Sequence, residues 1–380
     1  MTTVMISCGE ASGDLYAGAL ARELRRLDPG VRLAGFGGER LREACADLVG
    51  DYRGLTVTGL VEALRVLPTA WRMQRALLAR ARAERPDVLV LIDFHDFNFR
   101  LGAAARQLGI PIVYYVCPQL WAWRTGRVRT LKALASKALV IFPFEPAFFE
   151  AHGLSVEFVG HPLLDLVPPP ADRAAVLRDA GLDPGAPTVA LLPGSRPNEV
   201  SAILHTIVAA LGAIRAAVPG VQFLVARAPH LGDDLFAGLP SGPAVRVAML
   251  DGRADDVLSA SDVVITASGT ATVQTAIHGK PMVIVYRLSP LSYQLGRRFV
   301  HVTTYGMVNL VAGEIVAPEL IQDGFTPEAV TRETVRFLTD TAHAERVRAR
   351  LTDVRRRLGE PGASRRAAER VLDVARRSQS

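Results

Sequence analysis

Cysteine is almost missing from this chain, with 3 in 380 residues. Cys8, Cys45 and Cys117 lie far apart and form no CxxC pair. That usage excludes a disulfide framework and a thiolate zinc site, and it fits a reducing compartment. Long apolar runs are absent as well. None approaches the roughly 18 residues that mark a membrane-spanning helix, so nothing is expected to cross a bilayer. The opening residues, MTTVMISCGE, carry no basic stretch, so no signal peptide is expected. The chain also lacks GxGxxG spacing and the Lys that completes a P-loop, which excludes the common dinucleotide and P-loop patterns. No zinc-finger, RNA-recognition or helix-turn-helix pattern occurs, so nucleic acid is not an expected partner. His95, His161 and His278 have no ligand-type spacing, and neither a metal nor a cofactor is expected.

What remains is an ordinary globular composition. Apolar residues make up 49% and charged residues 22%, which excludes disorder. The length suits about two to three domains. Net charge is +6, and its distribution says more than its total. Residues 60–140 carry 13 Lys and Arg against 5 acids, enough to account for the whole imbalance. A basic surplus suits anionic partners such as acidic lipid or a phosphorylated substrate.

Short apolar runs recur at regular intervals. VMISC (4–8), VRLAGF (31–36), VLVLI (88–92), IVYYV (112–116) and ALVIF (138–142) alternate with helical stretches. The triple proline at 168–170 marks a stiff break. The rhythm then restarts with TVALLP (188–193), VQFLVA (221–226), VRVAML (245–250), DVVITA (262–267) and PMVIVY (281–286). Strands alternating with helices indicate parallel sheets. The reading is α/β, with two Rossmann-like doubly wound domains facing a central cleft. Their expected limits are 1–167 and 168–355, followed by a surface-lying helical tail over 356–380. Residues 341–380 hold 11 Arg against 5 acids.

Four segments offer chemistry. Val88 to Ile92 ends in Asp93, His95 and Asp96. Ligands of open α/β sheets sit at strand carboxyl ends, where a carboxylate can take a proton from a hydroxyl; alternatively one of these Asp residues only caps the next helix. GEASGD (9–14) is read as a loop bearing Glu10, Ser12, Gly13 and Asp14, suited to anions or simply an ordinary turn. LLPGSR (191–196) places Gly194, Ser195 and Arg196 where a guanidinium fork can grip a phosphate. ASGTATVQTA (267–276) sets Ser268, Gly269 and Thr270 at a second helix start, as a phosphate cradle or a plain N-cap. Two such turns converging on one diphosphate is the stronger hypothesis.

The stretch 59–85 is amphipathic. Leu60, Leu64, Leu67 and Trp71 fall on one helical face, Arg65, Arg72, Arg75, Arg80 and Arg82 surround it, and Pro68 is expected to kink or split the helix. It is either a core-facing helix with a solvated basic side or a membrane-surface helix. In QLWAWRTGRVRTLK (119–132), Trp121 and Trp123 accompany Arg124, Arg127 and Arg129, a combination that suits lipid headgroups, a sugar-phosphate site or plain core.

Taken in order, GEASGD, IDxxDFN (92–98), PQLWAWR (118–124), FPFE (142–145), VGHP (159–162), LLPGSR, ASGTAT (267–272) and NLVAGEIVAPELIQ (309–322) closely resemble lipid-A-disaccharide synthase, a bacterial glycosyltransferase family of the two-Rossmann-domain (GT-B) type. The resemblance runs from about residue 4 to 355. It implies inverting, metal-independent transfer from UDP-2,3-diacylglucosamine to the 6-hydroxyl of 2,3-diacylglucosamine 1-phosphate, with no cofactor. It implies an acceptor and membrane side in the first domain and a UDP-sugar side in the second. Asp96 is then the general base and Asp93 orients its loop. Glu10, Ser12, Gly13 and Asp14 line the acceptor side. Gly194, Ser195, Arg196, Ser268, Gly269 and Thr270 meet the donor, and Asn309 belongs to the active site. Gln274 stands where the family usually has a Glu, the acid that binds ribose hydroxyls in related transferases. The implied location is cytoplasmic, peripheral on the anionic inner membrane, and a homodimer is left open. A UDP-sugar 2-epimerase-like enzyme and a non-catalytic nucleotide- or lipid-binding protein are the alternatives on the same scaffold.

Overall fold

In the computed structural model the described residues are 1–44, 47–52, 60–242, 245–288 and 304–379, with the side chains of 60–66 and 379 outside the description. The expected stripe residues Leu60 and Leu64 therefore fall outside the described side chains, and Leu67 and Trp71 inside them.

The chain divides into two compact units, each built around one sheet. In the first, β1 (Thr3–Cys8), β2 (Arg32–Gly37), β3 (Asp47–Asp51), β4 (Val88–Ile92), β5 (Ile112–Tyr115), β6 (Lys137–Val140) and β7 (Glu157–Phe158) pair in parallel in the order β3-β2-β1-β4-β5-β6-β7. The helices between them are α1 (Ala11–Leu27), α2 (Glu39–Ala44), α3 (Leu60–Glu84), α4 (His95–Gln107), α5 (Val128–Leu134) and α6 (Glu145–Ala151), and α7 (Leu163–Leu166) follows β7. All of Val88 to Ile92 is buried, as an unbroken Val/Leu/Ile strand covered on both faces must be.

The second unit repeats the plan. Here β8 (Thr188–Leu192), β9 (Gln222–Arg227), β10 (Val247–Asp251), β11 (Val263–Ala267), β12 (Met282–Tyr286) and β13 (Glu319–Ile321) run in the order β10-β9-β8-β11-β12-β13, again all parallel. Its described helices are α8 (Arg173–Asp179), α9 (Pro197–Ala217), α10 (Ala254–Ala260), α11 (Thr270–Ile277), α12 (Met307–Ala312), α13 (Pro327–Thr339) and α14 (Thr341–Arg357). The expected doubly wound α/β class is thus observed in both units. In each sheet the strand order reverses beside the first strand, between β1 and β4 and between β8 and β11. Such switch points are where open α/β sheets bind ligands.

Several expectations change. α1 begins at Ala11, so Ser12, Gly13 and Asp14 are its first turn rather than a loop. α3 runs unbroken through Pro68. Among the described residues one helix, α9, is long and apolar enough to cross a membrane on length and composition. It buries Val200, Ile203, Ile207, Leu211 and Ile214 within the second unit and packs against α13, so it is a core helix. The short edge strands β3, β7 and β13 were not foreseen.

The C-terminal segment is not a separate tail. From Leu358 onward the chain groups with the first unit. α15 (Ala363–Gln379) lies on α1 and buries Ala363, Ala367, Ala368, Val371, Leu372 and Ala375. Polar ties fasten it. Arg366 donates to the Val159 carbonyl at 2.8 Å, Ser364 N–H donates to Asp165 at 2.9 Å, and Arg370 pairs with Glu157 at 2.7 Å.

Candidate functional site

In the first unit, Cys8 pairs in register with Ile92, so the segments after β1 and β4 emerge side by side at the switch point. Gly9 has no room for a side chain there, because a Cβ would lie 2.1 Å from the Phe94 ring. Asp93 and Phe94 both have left-handed backbone, with φ of 46° and 45°. Val116 follows β5 with φ 57°, and Arg124 lies further along the same connection with φ 58°. These are four of the six non-glycine residues with positive φ among the described residues. Such strain persists only where surroundings over-determine it, and it concentrates at functional sites.

A buried polar network supplies the determination. Asn98, fully buried, donates to the carbonyls of Asp93 at 2.8 Å and Ile92 at 3.1 Å, and accepts from Ser7 Oγ at 2.8 Å. Tyr114 Oη donates to the Asp93 carbonyl at 2.9 Å. Asp93 thus contributes its strained backbone to shaping the loop. Ser7, Asn98 and Tyr114 were missed as site residues. Asn98 stood inside the IDxxDFN motif, but only the neighbouring strand ends show what it holds.

Asp96 projects from the first turn of α4 into a cluster of cations. Arg127 pairs with it directly, and Arg124 Nη1 lies 3.5 and 3.4 Å from its two oxygens. His95 Nε2 is 3.3 Å from Asp96 Oδ2 but outside hydrogen-bond geometry. Partial burial raises the Asp96 pKa, but the Arg127 hydrogen bond and the nearby charges of His95, Arg127 and Arg124 outweigh it, so the carboxyl sits below its usual range. His95 is also lowered, by burial first and by the two Arg charges, against the pull of Asp96. The His95 ring meets Trp123 edge-on at 5.2 Å.

The other predicted residues of this unit divide. Glu10 is the N-cap of α1 and, like Ser12, is half-buried. Gly13 is buried against Cys8 and Ile92. Asp14 is not available to a substrate. Its buried carboxylate accepts from the N–H groups of Gly38, Arg40 and Leu41 and caps α2. Burial raises its pKa while those three bonds pull it down. Trp121 donates its indole N–H to the buried Glu145 carboxyl at 3.3 Å.

On α3, Leu67 and Trp71 are 48% and 55% exposed, and the Arg75 guanidinium lies 3.4 Å over the Trp71 ring. Arg72 donates to Thr69 at 3.3 Å. The helix turns inward only further along, where Leu77 and Ala81 are buried.

In the second unit, Leu192 pairs in register with Thr266. The Pro-Gly-Ser-Arg and Ser-Gly-Thr turns therefore leave adjacent strands at the switch point. Gly194 and Gly269 have φ of 130° and 151°, which L side chains rarely adopt. The two turns are not equivalent. At the start of α9, Glu199 Oε2 accepts from the N–H groups of Ser195 and Arg196, and Arg196 Nη1 donates to Glu199 Oε1 at 2.9 Å. That helix start already holds an internal anion. At α12, Glu319 does the same, accepting from the N–H groups of Tyr305 and Gly306. At α11, Ser268 Oγ is turned to the Tyr305 carbonyl and Thr272 Oγ1 to the Gly269 carbonyl. No carboxylate among the described residues accepts from Gly269, Thr270 or Ala271, so the amide end of this helix remains open to an anion.

Asn309 corrects an expectation. It is buried, its Nδ2 donates to Ala317 O and Glu319 Oε1, and its Oδ1 accepts from Val316 N and Ala317 N. Two donors and two lone pairs are all that an amide side chain has. Asn309 is thus a clip for the segment Gly313 to Ala317 and has no bond left for a donor. Gln274 Nε2 donates to Asp255 Oδ1 at 2.8 Å, and His278 Nε2 lies 2.8 Å from the same oxygen. A carboxylate absent at position 274 is therefore present one hydrogen bond away, at the start of α10. A Glu at 274 would face Asp255 as a like charge. Among the described residues no cluster of three or more His, Cys, Asp or Glu could hold a metal ion.

A family model described as Lipid-A-disaccharide synthetase matches residues 4–373. A lipid-A-disaccharide synthase of Geobacter sulfurreducens is 43% identical over 371 residues, covering 98% of this chain and 97% of its own. Among solved structures, a UDP-GlcNAc 2-epimerase from Neisseria meningitidis, bound to UDP-GlcNAc, has a TM-score of 0.65 at 13% identity, with 98% and 100% of the two chains covered. MurG of Acinetobacter baumannii has a TM-score of 0.58 at 15% identity, with 98% and 99% covered. At such identities the structural likeness concerns the fold alone, and that fold is the GT-B fold expected from the sequence.

Proposed function

The chain belongs to the lipid-A-disaccharide synthase family of glycosyltransferases, and from that premise we propose that it joins UDP-2,3-diacylglucosamine to 2,3-diacylglucosamine 1-phosphate by inverting transfer. Asp96 accepts the proton of the acceptor 6-hydroxyl as that oxygen bonds to the donor anomeric carbon. The bond from that carbon to the diphosphate breaks, and UDP leaves with the electron pair. No metal is required. The open amide end of α11 at Gly269 and Thr270, with Arg196 steadied by Glu199, supplies positive charge for the departing diphosphate. Asp255, joined to Gln274, contributes the carboxylate for nucleoside hydroxyls.

The observation that carries this reading is the register of β8 with β11, which brings the Gly194–Arg196 and Ser268–Thr270 turns together at a switch point. The exposed Leu67 and Trp71 with Arg72 and Arg75 support a peripheral position on an anionic membrane, on its cytoplasmic side, where acylated substrates reside. The test is direct. Protein, both acylated sugars and detergent should yield UDP and a disaccharide 1-phosphate. Asp96→Ala should slow turnover by about 100-fold or more, the scale of a lost general base. An unaltered rate in that variant would reject Asp96 as the proton acceptor.

A further inference from the structure

The cluster around Asp96 has more cations than its carboxylate uses. Arg124 and Arg127 both reach the one side chain, and burial lowers the pKa of the neighbouring His95. Each guanidinium lies near an aromatic ring. Arg124 lies 4.3 Å over Trp123, and Arg127 5.9 Å from the Phe99 ring. A guanidinium presents a fork of N–H donors that matches two oxygens of one anion. Arg124 also has left-handed backbone, with φ 58°. The site is open, with side chains of Asp96, Arg124 and Arg127 that are 59%, 41% and 36% exposed. Ion pairs at such exposure contribute little to stability, so an incoming anion displaces Asp96 at small cost. A phosphate monoester has up to two negative charges and three acceptor oxygens against the single charge of the carboxylate.

We propose that Arg124 and Arg127 form a receptor for a phosphate monoester, and that Asp96 occupies it until that phosphate arrives. Building on the function proposed above, the monoester is the 1-phosphate of the acceptor sugar. Its binding draws the guanidiniums away from Asp96 and leaves the carboxylate a better base at the moment an acceptor is present. Arg124 and Arg127 are then both a specificity determinant and the control on Asp96. The groups facing Asp96 here are His95 on its own helix, Arg124 in the preceding connection and Arg127 at the start of α5.

The experiment compares diacylglucosamine 1-phosphate with the same diacylglucosamine lacking phosphate, in detergent, on wild-type protein and on Arg124→Gln, Arg127→Gln and the two Lys variants. Binding is followed by tryptophan fluorescence and turnover by disaccharide release. In wild type, loss of the phosphate should weaken binding about 10- to 100-fold, the range for charge-assisted hydrogen bonds. In the Gln variants that discrimination should shrink to within about threefold, the Lys variants should keep part of it, and the acid limb of kcat/KM should move to higher pH as Asp96 loses its partners. Full discrimination in both Gln variants, or an unmoved acid limb, overturns the proposal. Phosphate-dependent binding without any disaccharide from wild type would instead overturn the proposed reaction and leave this receptor standing.

Discussion

At the scale of single residues, two buried groups of the first unit should write opposite slopes into the stability curve. Burial pushes the Glu145 carboxyl up to about 7, although the N–H groups of Phe142, Trp121 and Ile141 pull it down. Its folded value exceeds the unfolded 4.5, so its contribution is complete below about pH 4.5 and is lost as pH rises through about 7. His161 behaves in reverse. Burial lowers it to about 3 from 6.5, so its contribution is complete above pH 6.5 and is lost as pH falls towards 3. Its Nδ1 accepts from Leu163 N–H at 3.2 Å, which requires the neutral ring. Glu145→Gln removes only the first slope. Urea midpoints at pH 5 and pH 8 should show wild type losing up to about 3 kcal/mol more than the variant over that interval. Equal losses in the two proteins would assign the proton to another group.

At the scale of elements, a helix can be legible in type and still hide its use. The spacing of Leu60 to Trp71 predicted one amphipathic helix, and α3 follows it, but the same pattern served a core stripe or a membrane stripe equally well. Exposure separates them, since Leu67 and Trp71 stay at the surface while Leu77 and Ala81 go inside. Each basic residue near an anionic membrane contributes about 1 kcal/mol. Arg72→Glu with Arg75→Glu should therefore weaken binding to phosphatidylglycerol vesicles by well over about tenfold, with binding to neutral vesicles little changed. Sedimentation with vesicles measures this, and equal pelleting of both proteins would remove α3 as the contact. The two Gly-rich helix starts show the same ambiguity. In sequence, Pro-Gly-Ser-Arg and Ser-Gly-Thr look alike as phosphate turns. Glu199, three residues beyond Arg196, fills the first from within, while the second has no such acid.

At the scale of the whole chain, the first unit is completed by residues more than 190 positions away from its main body. Without α15, α1, β4 and β5 lose a neighbour whose Val371 and Leu372 are buried. Burial of one such side chain contributes about 1.5–3 kcal/mol. Ending the chain after Arg357 should thus destabilise the first unit by several kcal/mol, read as early loss of protection for β1 and β4 in hydrogen exchange. Unchanged protection of those strands would show that α15 is dispensable.

The sequence by itself determined the strand rhythm, the two-unit α/β class, the switch-point motifs and the family, because buried parallel strands must be continuous apolar runs and turns need particular residues. Tertiary structure alone decided which polar side chains are spent and which remain available. Asp14 and Asn309 read as site residues, yet every bond they form serves the fold; Asn98 and Tyr114 were given no role, yet they hold the strained loop beside Asp96. Arg-rich α15 read as a surface tail on its charge alone, yet its apolar residues, mostly alanine, fall on one helical face and that face is buried. For the polar residues the physical reason is shared. A donor hydrogen or acceptor lone pair already engaged within the fold is not available to a substrate, and only the assembled structure says which are engaged.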